Sequence, residues 1–282
     1  MASLNEALTD PDARHVLSFS GGKDSTALGV YLLQNYPELA ERLEIVFCDT
    51  GVELPETYEY IRRFETLLGV EVTRINALEM LGIQEKRGRT PFDVILQEYY
   101  GHYLPSPQMR WCTRALKIKP FEAYIGNDRA YSYIGIRAEE RRSGYQGSDR
   151  PAAQPAGTEG GKPVVFSERQ NILPVYPFKE DGLILEDIHE LLEESGLGLP
   201  DYYKWRSRSG CYFCFYQQVG EWQGLKEHHP DLFEQAKGYE KDDGERRYTW
   251  VQGRSLEDIE KMEKRYTVSD KEGLDGCAIC HL

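Results

Sequence analysis

A short apolar run, Val16 to Phe19, gives way to Ser20-Gly21-Gly22-Lys23-Asp24-Ser25 and then to a helical pattern from Thr26 onward. That order of strand, glycine turn and helix start commits the chain to a β–α unit with an anion cradle at its junction. Successive backbone N–H groups face into the turn and the helix adds its positive end, so phosphate oxygens bind there. Two glycines let the backbone take φ values closed to other residues and approach a ligand. Lys23 supplies a mobile charge, the Ser20 and Ser25 hydroxyls add donors, and Asp24 suits Mg2+ directly or through water. The spacing is too short for the GxxxxGK[ST] phosphate loop. A glycine turn before a helix is common in proteins that bind nothing. Six ordered residues combining Gly-Gly, Lys, Asp and two Ser are much harder to explain by folding alone, and they read as a nucleotide site.

Strand-like runs at 15–19, 43–47, 70–75, 130–136 and 172–175 alternate with helical ones. The alternation predicts an α/β fold, a doubly wound and mostly parallel sheet covered on both faces. The first helix is expected over 25–35 with Leu28, Tyr31 and Leu32 on its buried side; the second starts at Pro55 and stops at Gly69. Ligands bind such sheets at the C-terminal strand ends. That places the hexapeptide, Cys48-Asp49-Thr50-Gly51 and Arg137 at one rim. Residues 147–163, rich in Gly, Pro and Ala without periodicity, read as a long mobile loop, either a linker or a lid over the nucleotide. Further helices are expected over 185–194, over 231–239 and from Ser255, which with Asp258 makes a capping box. The expected division is a nucleotide-binding domain over residues 1–180 and a helical, cysteine-bearing region over 181–282.

The 282 residues allow one large α/β domain with an appendage, and a hydrophobic content of 40% supplies a core. No apolar run approaches a membrane span, and residues 1–12 are polar without a signal-peptide core, so a cytosolic, non-membrane protein is expected. Its 34 basic and 47 acidic side chains give a net charge of −13, which steers the chain away from nucleic acid unless a local basic patch or a partner provides the contact. Six cysteines in such a setting point to metal or redox chemistry rather than a disulfide framework.

The hexapeptide resembles the PP-loop of the ATP pyrophosphatases, the group that includes the phosphoadenosine-phosphosulfate (PAPS) reductase family and the sulfate-adenylylating subunits. The resemblance continues through Asp49-Thr50-Gly51-Val52-Glu53-Leu54-Pro55-Glu56, Arg110-Trp111-Cys112-Thr113-Arg114-Ala115-Leu116-Lys117 and Gly135-Ile136-Arg137-Ala138-Glu139-Glu140-Arg141. It implies an adenine nucleotide alpha-hydrolase-like fold that cleaves ATP between the α and β phosphates. The cofactor-binding residues are then Ser20, Gly21, Gly22, Lys23, Asp24, Ser25, Asp49, Thr50 and Arg137, with Lys23, Asp24 and Arg137 catalytic. A loop gripping the β and γ phosphates makes pyrophosphate the stabilised leaving group. Degenerate loops are usual in true PAPS reductases; the intact Lys23–Asp24 pair here favours ATP activation.

Cys48 ends an apolar strand and reads as a small buried hydrophobe. Cys211-Tyr212-Phe213-Cys214 and Cys277-Ala278-Ile279-Cys280 form two CxxC pairs, which suit zinc or an iron–sulfur cluster. Their long separation weakens zinc. Cys112 is flanked by Arg110 and Arg114, which favour its thiolate. The Trp-Cys-Thr and Gly-Cys-x-x-Cys segments are similar to the ATP-pyrophosphatase component of DNA phosphorothioation systems (the DndC and SspD types), which are iron–sulfur proteins. This resemblance makes Cys112, Cys211 and Cys214 ligands of a 4Fe–4S cluster with a fourth ligand from Cys280 or Cys277, zinc remaining the alternative and a loose tail pair the bland one. It also implies a cysteine desulfurase as sulfur donor, other phosphorothioation proteins as partners, DNA contact through a complex, and leaves self-association open. PAPS or APS reduction, with a terminal Cys280 nucleophile, or a sulfate adenylyltransferase subunit is the alternative; a non-catalytic ATP-binding adaptor is a third. Arg137, Arg141, Arg142, Arg110, Arg114, Lys117 and Lys119 stand out against the acidic background as a site for an anionic acceptor or as salt-bridged surface. His228-His229 before Pro230 reads as a solvated helix entry.

Overall fold

The computed structural model describes residues 2–140, 169–242 and 247–263. Its first half runs α1 (Leu4–Thr9), β1 (Arg14–Phe19), α2 (Lys23–Asn35), α3 (Pro37–Ala40), β2 (Leu43–Asp49), α4 (Pro55–Leu68), β3 (Val72–Asn76), α5 (Ala77–Met80) and α6 (Pro91–Tyr100). Then come α7 (Trp111–Thr113), a π-helical stretch (Arg114–Ile118), α8 (Lys119–Ile125), β4 (Ala130–Tyr133), β5 (Ile172–Val175), α9 (Pro177–Glu180) and α10 (Leu185–Glu194). A 3-10 turn (Asp201–Lys204), α11 (Val219–His228), α12 (Pro230–Tyr239), a two-stranded ribbon of β6 (Lys241–Asp242) and β7 (Arg247–Tyr248), and α13 (Leu256–Glu260) complete it.

Strands β3-β2-β1-β4-β5 form one parallel sheet in that order. Successive side chains of a strand point to opposite faces, and both faces here are apolar. Leu17, Phe19, Ile45 and Phe47 pack with Leu28 and Leu32 of α2, Phe64 of α4 and Ile188 of α10. On the other face Val16, Val46, Cys48 and Ile75 meet Phe121 and Ile125 of α8. Helices on two faces of a parallel sheet are the doubly wound α/β arrangement expected from the alternation. Each buried Leu or Phe contributes about 1.5–3 kcal/mol, so these two layers supply the driving force for the sheet.

A third, aromatic cluster joins the later part of the chain to the earlier one. Val52, Leu54, Phe92 and Trp111 share it with Phe213 and Trp250, the rings of Phe213 and Trp250 stacking at 4.6 Å. Helix α10 belongs to the sheet's own layer; the part from Tyr202 onward is docked through this shared aromatic cluster.

Three strands depart from the apolar runs by two residues or more, β2 running on through Cys48 to Asp49. β4 stops at Tyr133 rather than at 136 because Gly135 comes down on α2, where an added Cβ would lie 2.8 Å from the Asp24 carbonyl oxygen. β3 starts at Val72 rather than at 70 because Val70 N–H is spent on the Glu65 carbonyl that closes α4. Gly69 stands just past Leu68 in the left-handed region, as expected for the helix stop. Helix α2 begins two residues early and takes Lys23 and Asp24 into its first turn. Among the described residues no helix is long and apolar enough to cross a membrane. The expected loop at 147–163 lies outside the described residues, as do Arg141 and Arg142.

Candidate functional site

Strand order reverses at β1, whose neighbours β2 and β4 leave in opposite directions along the sheet. A crevice opens at such a point, and the hexapeptide fills its floor. Gly21 has φ of +66°, which an L side chain would strain against. Gly22 caps α2, its carbonyl accepting from Thr26 N–H at 3.0 Å. The Ser25 hydroxyl ties the turn together: it accepts from Ser20 N–H at 3.1 Å and lies 2.9 Å from the Ser20 hydroxyl. Both serines are thus structural braces of the turn in this conformation, as well as candidate ligand donors.

Lys23 and Asp24 are buried beside one another, Nζ lying 3.7 Å from Oδ2. Arg137, delivered by the turn after β4, donates through Nη1 to Asp24 Oδ1 at 2.5 Å and through Nε to Glu139 at 2.7 Å. The structure brings these three together, 113 residues of chain separating the Asp24 and Arg137 partners. The carboxylate of Asp24 is turned to Arg137 and Lys23.

At the end of β2, Asp49 and Thr50 are organised by a residue the sequence did not single out. Glu53 accepts from Thr50 N–H at 3.2 Å, Thr50 Oγ1 at 2.6 Å, Val52 N–H at 3.3 Å and Tyr58 O–H at 3.2 Å. Tyr58 also donates to Asp49 at 2.8 Å. Burial pushes the Glu53 carboxyl above the usual carboxylate range, against the opposing pull of Lys117 and the Thr50 hydroxyl. Residues Asp49 and Thr50 sit on the rim beside the hexapeptide, as the strand ends require.

The cysteine turn packs directly on both segments. Glu53 and Cys211 form an antiparallel bridge, and Tyr212 N–H donates to the Val52 carbonyl at 2.9 Å. Ser209 lies against Gly22, where an added Cβ would meet its Oγ at 2.3 Å and its Cβ at 2.7 Å. From the 3-10 turn, Tyr202 O–H donates to the Gly21 carbonyl at 3.2 Å, and the Tyr203 hydroxyl accepts from Lys23 N–H at 3.3 Å. Arg206 is fully buried and donates to the carbonyls of Gly210 at 3.5 Å and Cys211 at 2.9 Å. None of Ser209, Tyr202, Tyr203 or Arg206 carries a local motif; only the fold places them.

Cys112, Cys211 and Cys214 line one cavity of about 40 Å³ with Thr50, Lys117 and Tyr216, its remaining wall being largely apolar. Among the described residues no group of three or more His, Cys, Asp or Glu could hold a metal ion. A cluster carries its thiolates on separate irons and so spaces them more widely than one ion does. Three thiols on one apolar cavity fit soft-metal or cluster chemistry in kind, with any further thiol from Cys277 or Cys280, both outside the described residues. Cys48 faces the sheet core, and burial pushes its thiol up to about 12.

Two other expectations need correction. The described basic residues differ in exposure: Arg137 and Lys117 are buried and Arg110 is half-buried, while Arg114 and Lys119 are exposed. His228 and His229 are not simply solvated. His228 stacks on Trp205 at 5.4 Å, and His229 Nε2 lies 2.7 Å from Glu56 Oε1, holding the start of α12 to α4.

Residues 14–149 match the family model described as phosphoadenosine phosphosulfate reductase domain. Two uncharacterised proteins of Methanocaldococcus jannaschii are similar, one 25% identical over 78% of this chain and 40% of its own length, the other 26% identical over 77% and 45%. An uncharacterised nin-region protein of Escherichia phage lambda is 28% identical over 45% of this chain and 49% of its own. The chain therefore spans less than half the length of these curated relatives. Among solved structures, PAPS reductase from Candida auris in its phosphate complex aligns with a TM-score of 0.44 at 12% identity, over 73% of this chain and 83% of that one. The U34-tRNA thiolase NcsA from Methanococcus maripaludis, with its 4Fe–4S cluster, aligns with a TM-score of 0.42 at 12% identity, over 98% and 81%.

Proposed function

We propose, from the premise that residues 14–149 match the phosphoadenosine phosphosulfate reductase domain, that this chain is a PP-loop ATP pyrophosphatase serving sulfur incorporation. Its substrate is MgATP, cleaved between the α and β phosphates so that AMP passes to an acceptor oxygen. The observation that carries this reading is the intact Lys23–Asp24 pair at the start of α2 with Arg137 held on Asp24. The turn and Lys23 grip the terminal phosphates; Arg137 stands ready to exchange part of its pairing for phosphate oxygens as charge develops on the leaving group. The acceptor oxygen forms a bond to the α-phosphorus while the bond to the bridging oxygen breaks, and pyrophosphate leaves with the electron pair.

The three cavity thiols support a resident iron–sulfur cluster held by Cys112, Cys211, Cys214 and one of Cys277 or Cys280. When bound, such a cluster supplies a thiophilic centre at which sulfur is held or relayed. DNA phosphorothioation is the proposed setting, with a cysteine desulfurase as sulfur source. The acidic balance of the chain leaves DNA contact to a partner or complex.

Incubation of the protein with magnesium and α-labelled ATP tests the reaction: AMP and pyrophosphate are expected, and Lys23→Ala should slow their release by about 100-fold or more. ADP with orthophosphate would refute the assignment. A second reading, reduction of PAPS or APS, draws on the family's own description. It requires thioredoxin-dependent sulfite release that Cys280→Ser abolishes.

A further inference from the structure

Among the described residues no carboxylate pairs with the guanidinium of Arg206, although the side chain is fully buried. Its hydrogen bonds go to neutral acceptors: Nη1 donates to the Gly210 carbonyl at 3.5 Å and Nη2 to the Cys211 carbonyl at 2.9 Å. Its Nε is buried and makes no hydrogen bond. Glu221, the buried carboxylate of α11, is spent elsewhere. It accepts from Ser207 N–H at 2.7 Å, from the Ser207 hydroxyl at 2.6 Å and from Gln218 N–H at 2.7 Å. A cation stripped of water costs free energy that carbonyl dipoles return only in part. Holding a turn together calls for donors, which a neutral amide also carries; it does not call for a charge.

The position of Arg206 says which anion is missing. The Cys211 carbonyl that Nη2 holds also accepts from Cys214 N–H at 3.2 Å, so the guanidinium stands at the hub of the turn that carries both thiols. Those two thiols line one cavity with Cys112. Protonated thiols would offer a buried cation nothing. Thiolates gathered on a zinc ion or an iron–sulfur core outweigh its positive charge, so the loaded centre is an anion. Net charge and hydrogen bonding next to the sulfurs set how firmly such centres are held and how readily they take an electron.

We propose that Arg206 is the fixed counter-charge of the thiolate centre, a positioning residue that strengthens metal retention and favours the more negative, reduced state. This deepens the metal-centre reading and rests on Cys112, Cys211 and Cys214 being ligands.

The test compares the full-length protein with Arg206→Lys, which keeps the charge and loses the fork, and with Arg206→Gln, which keeps donors and loses the charge. Each is purified without oxygen, assayed for iron and zinc, and challenged with a competing chelator. Where the metal is a cluster, titration with dithionite and mediator dyes adds the midpoint potential, each cluster gaining one electron. Arg206→Gln is expected to weaken retention about tenfold or more. It should also shift the reduction equilibrium toward the oxidised form about tenfold, or about 59 mV for one electron. Arg206→Lys should stay closer to the unaltered protein in both. Arg206→Met, a second neutral variant, carries the comparison if the glutamine variant does not fold. A neutral variant as mild as Arg206→Lys overturns the counter-charge and leaves the ligands standing. An unaltered protein that holds neither iron nor zinc removes the centre, and the counter-charge with it.

Discussion

At Gly22 one methyl group is enough to force apart the nucleotide turn and the cysteine turn. An alanine Cβ there would fall 2.7 Å from the Cβ of Ser209, an atom fixed to backbone that cannot swing away. Gly22→Ala is expected to destabilise the protein by about 1–3 kcal/mol and to weaken ATP binding, read by urea unfolding and calorimetry. His15 illustrates a different residue-scale effect. It is fully buried in β1, its Nδ1 is 2.7 Å from the Tyr133 hydroxyl, and its Nε2 has no partner. Burial disfavours the charged ring and lowers its pKa from the usual 6.5. The unfolded chain then binds the proton more readily, so stability falls as pH drops below about 6.5. The buried Glu53 carboxyl, raised above the usual range, acts in the opposite sense, so the His15 contribution is read as a difference. On acidification from pH 7.5 to 5, urea unfolding should show the wild type losing more stability, or gaining less, than His15→Gln; identical pH profiles for the two would contradict the argument.

Among the elements, what the sequence declared was whatever depends on neighbours along the chain. Ser20 to Ser25 announce a turn because glycines, a lysine and a helix start are contiguous. The strands and α10 follow from periodicity, and Pro55 with Gly69 frames α4. What stayed hidden depends on chain-distant packing. No local pattern says that Gly135 must stop β4 to reach Asp24, or that the Asp201–Lys204 turn will lie over the hexapeptide. The aromatic cluster around Phe213 and Trp250 is equally silent in sequence, since its members are scattered over 200 residues of chain. Arg206 belongs to this class: an arginine in a short polar stretch looks solvated, yet it holds the turn bearing Cys211 from below. Arg206→Met keeps the stem and removes the donors, leaving the Gly210 carbonyl without that bond. We expect a loss of about 1–3 kcal/mol and faster alkylation of Cys211 and Cys214, measured by mass spectrometry of iodoacetamide adducts.

Across the whole molecule, the sheet supplies one wall of the crevice and the later helical part the other. They touch through the Glu53–Cys211 bridge, the Ser209–Gly22 contact and the two tyrosines over the hexapeptide. With so many seams at one place, whatever occupies either wall is communicated to the other. Saturating ATP, at about 100 times its dissociation constant, should stabilise the fold by about 2.7 kcal/mol and slow alkylation of Cys211. The coupling works in both directions: a protein already carboxymethylated at Cys211, its wall of the crevice altered, is expected to bind ATP more weakly than the unmodified protein, read by calorimetry. A thiol and a nucleotide that never share an atom would thus keep each other's accounts, and the sulfur status of the chain would be legible in its appetite for ATP.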